Sequence, residues 1–230
     1  MLSLDDKMKR RCTISAAEIL ENLYIRYTTD DQTEAMKEVL PKLLREILVL
    51  PWQDEEIISE QKVDRKLYAA LLSLSVTIFE KVITNYEDLA QLANQIAEGG
   101  PAFSFAGKLK EIVEQNSEQA TASRLRILKI TTRMTISLIN LEGGRVGADL
   151  ESLMQSLSEA SKNMLQMEGF MILSRSHHST STDPANNLDS LVKTAQELLE
   201  KKKQEAQNLS TTPVVSMKQL IEWTIDSIFC

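Results

Sequence analysis

Histidine, cysteine and glycine are the residues whose spacing would first suggest chemistry, and here each is sparse. The two histidines, His177-His178, are adjacent within SRSHHSTSTDPANN, residues 174–187. Adjacent histidines in an aperiodic segment do not both face one site, so they make neither a ligand pair nor a base with its orienting partner. Cys12 and Cys230 lie near opposite ends, which fits neither zinc-ligand spacing nor a disulfide framework. Cys230 is the last residue, whereas a prenylation box has its Cys fourth from the end. Gly99-Gly100-Pro101 and Gly143-Gly144-Arg145-Val146-Gly147 follow helical segments instead of strands, so they read as helix terminators and not as phosphate cradles. The carboxylates are many but spread over helical surface. The chain reads as a non-enzyme that requires no cofactor and no metal.

Charge is the remaining source of specificity. Lys and Arg number 26 against 33 Asp and Glu, a formal charge of −7 that disfavours general nucleic-acid binding. Two basic clusters stand out, Lys7-Lys9-Arg10-Arg11 and Lys201-Lys202-Lys203. Asp5 and Asp6 offset the first, and Glu197, Glu200 and Glu205 the second, so both read as solubilising charge. Ser176, Ser179, Thr180 and Ser181 form a candidate modification loop, where phosphorylation would add negative charge.

These side chains need elements to position them, and the elements are helical. Hydrophobic residues make up 43% of the chain, enough for a packed core, while 7 Gly and 5 Pro are too few for an all-β sandwich or barrel. Apolar residues recur every three or four positions in about eight segments, and no strand is convincing. The segments start near Thr13, Asp31, Asp64, Tyr86, Ser104, Ser117, Ala148 and Leu188. Pro41 is expected to kink the second segment or reset its start. Leu150, Leu153, Leu157, Ala160, Met164, Met167 and Met171 form a heptad seam.

The expected organisation is helical repeats over 1–173, a flexible Ser/Thr-rich loop over 174–187, a closing helix over 188–208 and a tail over 209–230. Met217–Phe229 in that tail is a candidate short amphipathic helix. The charged start, MLSLDDKMKRRC, does not resemble a signal peptide, and the apolar stretch Ala69–Phe79 is interrupted and too short to span a bilayer. A soluble, cytoplasmic chain is expected, with membrane association through a longer parent protein or a partner as the alternative.

Three segments repeat one another: SAAEILENLYI from Ser15, YAALLSLSVTI from Tyr68 and SRLRILKITTRMTI from Ser123. They are 53 and 55 residues apart, somewhat longer than the ~40–47 residues of armadillo and HEAT units. Each carries a polar stripe: Ser15, Glu18, Asn22 and Arg26; Ser73, Thr77, Glu80 and Thr84; and Arg126, Lys129, Arg133, Ser137 and Asn140. The third helix is apolar on both sides of its stripe, as expected of a groove-lining solenoid helix. Stacked in parallel, the stripes would form one face able to capture a protein segment. Arg126, Lys129 and Arg133 would pair with its acidic groups, and Asn22 and Asn140 would bond its backbone.

SAAEILENLYIRYT, KEVLPKLLREIL, LYAALLSLSVTIFEKV, PAFSFAGKLKEIVEQNS and LESLMQSLSEASKNMLQMEGFMILS together resemble the C-terminal part of plant armadillo-repeat-superfamily proteins of the brassinolide-enhanced type. The resemblance covers about residues 12–205. It implies an all-α, right-handed armadillo/HEAT-like superhelix that acts as a protein-interaction scaffold, and it transfers no functional residues. Two competing readings are a peripheral membrane component and a helical bundle that oligomerises through the Met-rich seam of residues 150–171.

Overall fold

The computed structural model describes residues 4–27, 30–49, 52–53, 63–85, 104–118, 121–142, 148–175 and 187–211. The fold is all-α. The described residues hold seven helices: α1 (Leu4–Tyr27), α2 (Asp30–Val49), α3 (Arg65–Asn85), α4 (Phe105–Ser117), α5 (Ala122–Glu142), α6 (Ala148–Arg175) and α7 (Leu188–Thr211). The expected helix near Tyr86–Glu98, the His177-His178 segment and the tail from residue 212 lie outside the described residues.

Several boundaries differ from expectation. α1 starts at Leu4 and not near Thr13, because no Gly or Pro in DDKMKRRC stops the helix from extending backwards. α6 runs through Ser174 and Arg175, and α7 through Leu209, Ser210 and Thr211, since these residues also lack a breaker. Pro41 does not reset α2, which is one helix with Pro41 inside it. The strand-free expectation also fails locally. Trp52–Gln53 (β1) pairs in parallel with Val63–Asp64 (β2), joining the two ends of the acidic linker beside α3.

The helices lie in two layers. α1, α3, α5 and α7 each pack on the next within one layer, and α2, α4 and α6 form the other. Across the layers α2 meets α3, α4 meets α5, and α6 meets α7. One apolar core runs through both layers, from Leu40 and Leu44 to Val192 and Leu199. At its centre is α5, with Leu128, Met134 and Ile139 buried. Its buried threonines are satisfied within the helix: Thr131, Thr132 and Thr135 donate to the carbonyls of Ile127, Leu128 and Thr131 at 2.9, 2.8 and 2.9 Å.

Helix starts are set by short polar residues. Ser104, in extended backbone, caps α4 by accepting from the Gly107 N–H at 3.0 Å, and its hydroxyl donates to Asp149 of α6 at 2.5 Å. A Cβ on Gly107 would meet the Ser104 side chain at 3.1 Å, so glycine keeps this cap open. Asn187 caps α7 by accepting from the Ser190 N–H at 2.6 Å.

α3 is longer than the apolar stretch suggested. Arg65–Thr84 is long and apolar enough to cross a membrane, but Leu72, Val76 and Phe79 are buried in the core. The heptad seam is likewise internal from Leu150 to Met164, all five of its residues there being buried, while the side chains of Met167 and Met171 lie outside the described residues.

Candidate functional site

The three similar segments fall on α1, α3 and α5, consecutive helices of one layer that run in the same direction. Glu18 of α1 meets Arg126 of α5 at 3.4 Å. One step further on, Glu21 accepts hydroxyl hydrogen bonds from Ser73 and Thr77 of α3 at 2.8 and 2.9 Å. Further still, Ile25, Thr77, Glu80, Thr84 and Arg133 line a shallow hollow of about 360 Å³. The positions rise together on all three helices. The 108 residues separating Glu18 from Arg126 equal the two sequence spacings combined, so the internal similarity is also the spatial register.

The stripes therefore lie side by side, though much of their chemistry is directed at one another. Glu80 accepts two bonds from Arg133, at 3.1 Å from Nε and 2.6 Å from Nη2, a bidentate link between α3 and α5. Its partly exposed position limits it to about 1 kcal/mol at most. Arg126 is committed to Glu18 in a longer, more exposed contact. Thr77 is buried and donates to Glu21, so it offers nothing to a partner. Asn22 is exposed but donates to its own helix, to the Glu18 carbonyl at 2.8 Å. Arg26 is exposed, whereas Lys129 and Asn140 are half-buried and Ser137 is buried, so the third stripe sinks into the core along its length. The candidate modification residues Ser176, Ser179, Thr180 and Ser181 lie outside the described residues.

Above these contacts opens a cleft of about 710 Å³ between α1, α3 and α5, reached also by Leu191 of α7. Its floor includes the small residues Ala69 and Ser73, over which the Glu18–Arg126 bridge passes from α1 to α5. Cationic groups dominate its wall: Arg65, Lys66, Arg126, Lys129 and Arg133, with Glu18 the acidic residue among the described lining. Arg65 is buried close to the buried Arg124. Loss of solvent, and then the like charge of Arg124, pull the Arg65 guanidinium down to about 10, so it stays charged at neutral pH. Burial alone pushes the neighbouring Tyr68 phenol well above its ordinary range.

Sequence reasoning missed Glu21, Arg65, Lys66 and Arg124. Glu21 lies three residues after Glu18 on the same helix face, which is a readable signal. Nothing local marks Arg65 or Arg124, whose proximity comes from the packing of α3 on α5. Among the described residues no three His, Cys, Asp or Glu side chains gather as a metal site. The basic cluster of α7 is paired with nearby carboxylates. Lys202 and Lys203 pair with Glu205 and Glu200 of their own helix, and Lys203 also reaches Glu151 of α6 at 3.1 Å.

Compared with known proteins, the chain matches no family model, no curated protein and no solved structure.

Proposed function

We propose that this protein is a non-catalytic scaffold of armadillo/HEAT type, which holds an acidic segment of a protein partner in the cleft between α1, α3 and α5. The observation that carries this reading is the cleft itself: a recess shared by three parallel, internally similar helices, with five cationic residues in its wall. Stacked parallel helices are how a helical-repeat protein builds an extended binding face. The bridge from Glu18 over α3 to Arg126 links the two helices that flank the cleft. Among the described residues, neither competing reading has an observation of this kind in its favour. The apolar surface of α3 is spent on the core, and the Met-rich seam faces α4 and α7 as far as Met164.

The probe is Lys129, a half-buried cation of the cleft wall. A glutamate-rich peptide titrated against the chain is expected to bind with an affinity that falls as salt rises. Lys129→Glu should abolish that binding while leaving the circular dichroism spectrum unchanged. Equal affinity for Lys129→Glu and the parent chain removes the cleft as the binding face. The superhelix is tested separately by small-angle scattering, where a compact profile independent of concentration would contradict it.

A further inference from the structure

α1 is apolar on two opposite sides, and only one of them is used within the described fold. Ala17, buried, and Ile14 and Tyr24, half-buried, lie on the side that faces α3 and the core. Half a turn away, Met8, Cys12, Ala16, Ile19, Leu20 and Leu23 recur every three or four residues and are all exposed. The carboxylates Glu18 and Glu21 turn inwards, to Arg126 and to the hydroxyls of Ser73 and Thr77. Arg11 and Arg26 are exposed at one edge of the outward stripe. That surface is therefore apolar with a basic edge, in a chain whose formal charge is −7.

The sequence contains a segment of matching shape and opposite sign. In the tail, Met217, Leu220, Ile221, Ile225, Ile228 and Phe229 share one face of an amphipathic pattern. Glu222 and Asp226 stand at one edge of that face, against Lys218. As a helix, residues 217–229 would be about 20 Å long, close to the roughly 24 Å of the α1 stripe from residue 8 to residue 23.

Reach decides which molecule supplies the segment. The layer runs α1, α3, α5, α7, so α1 and α7 are its two ends. Neighbouring helix axes lie about 8–10 Å apart, which puts roughly 24–30 Å between those ends. α7 stops at Thr211, and residues 212–216 span at most about 17 Å before the amphipathic pattern begins. The α1 stripe of the same molecule is too far. An antiparallel pair of α1 helices from two copies would set the Arg11 and Arg26 edge against itself, so like charges disfavour that pairing.

We propose that the outward apolar stripe of α1 docks residues 217–229 of a second copy of this chain, joining molecules head to tail. The stripe lies on the far side of α1 from the cleft, so the contact leaves the cleft open and is independent of the function proposed for it. A single helix face is small for a specific interface, so the association is concentration-dependent and dilute chains are single. Each joined pair keeps one free stripe and one free tail, so growth does not stop at two copies.

The test is sedimentation velocity of the full chain over a range of concentrations, where the average mass is expected to climb. Leu20→Glu and Ile221→Glu each place a charge in the contact and should weaken self-association at least about tenfold, with the circular dichroism spectrum unchanged. An equal mixture of the two variants should restore a dimer, because one brings an intact tail and the other an intact stripe. A mixture that stays monomeric overturns the proposal. Self-association lost in Leu20→Glu but retained in Ile221→Glu overturns it in favour of pairing between α1 helices. A parent chain that is monomeric throughout also overturns it, and vesicle binding lost in Leu20→Glu would then assign the stripe to a membrane surface. Should Ile221→Glu fail to fold, a synthetic peptide of residues 212–230 replaces it. Excess peptide is expected to break the parent assemblies into complexes of one chain and one peptide, and assemblies unchanged by it overturn the proposal.

Discussion

α1 and α5 belong to one layer, share a sequence pattern and meet each other through Glu18 and Arg126, yet their apolar residues fare differently. α5 lies between α3 and α7 and rests on α4, so Ile127, Leu128, Ile130, Met134 and Leu138 are buried on its two sides. α1 packs on α3 and leaves Ile19, Leu20 and Leu23 exposed at 58, 55 and 48%. The lesson is that an apolar face in a layered helical protein is only an offer. Whether it becomes core depends on how many neighbours take it up. The same holds for polar residues: the α5 stripe is exposed at Arg126 and buried by Ser137, although its spacing is uniform.

The contrast can be broken most sharply by truncation. Met134→Ala in α5 is expected to destabilise the protein by about 2–5 kcal/mol in urea unfolding, through lost contacts and the cavity left behind. Leu20→Ala in α1 should stay within about 0.5 kcal/mol, and a large loss there would mean that the α1 face is covered. Capping residues come next. Ser104→Ala removes both the α4 cap and the bond to Asp149, and should cost about 1–2 kcal/mol in the same assay. Thr13→Ala, which removes an exposed bond to the Lys9 carbonyl within α1, should shift stability by less than about 0.5 kcal/mol.

Double-mutant cycles then sharpen the comparison at the level of single pairs. Coupling between Glu80 and Arg133, which ties α3 to α5, is expected near 0.5–1 kcal/mol, and coupling between Glu18 and Arg126, which ties α1 to α5, near ~0.2 kcal/mol. Equal couplings would show that α1 is held as firmly as α3. The smallest effect concerns pH. Hydrogen bonds to Glu151 and then Glu200 raise Lys203 above the ordinary 10.5, so the folded chain holds that proton more tightly than the unfolded one. The contribution is complete at neutral pH and disappears as pH climbs past 10.5 and through the raised value. Lys203→Met should therefore flatten the alkaline limb of the stability curve, read from urea midpoints across pH, and leave α1 contacts unaffected.

Much of the fold was legible because its signals are local. Apolar periodicity located all seven described helices, and the spacing of Ser15, Tyr68 and Ser123 anticipated which three would lie in one layer. The polar stripes were legible as helix faces for the same reason. Their occupation was not. That Arg133 would be claimed by Glu80, Thr77 buried under Glu21, and Trp52 paired with Val63 depends on residues far apart in sequence.

Residue types and their order thus determined where the chain is helical and which way each helix can face, since hydrogen bonding and side-chain spacing act over a few residues. Only the tertiary structure decided which faces became core, which charges were set against each other, and that Arg65 and Arg124 would be buried together beside a cleft. Those outcomes depend on distances between helices, and distances exist only once the layers have packed.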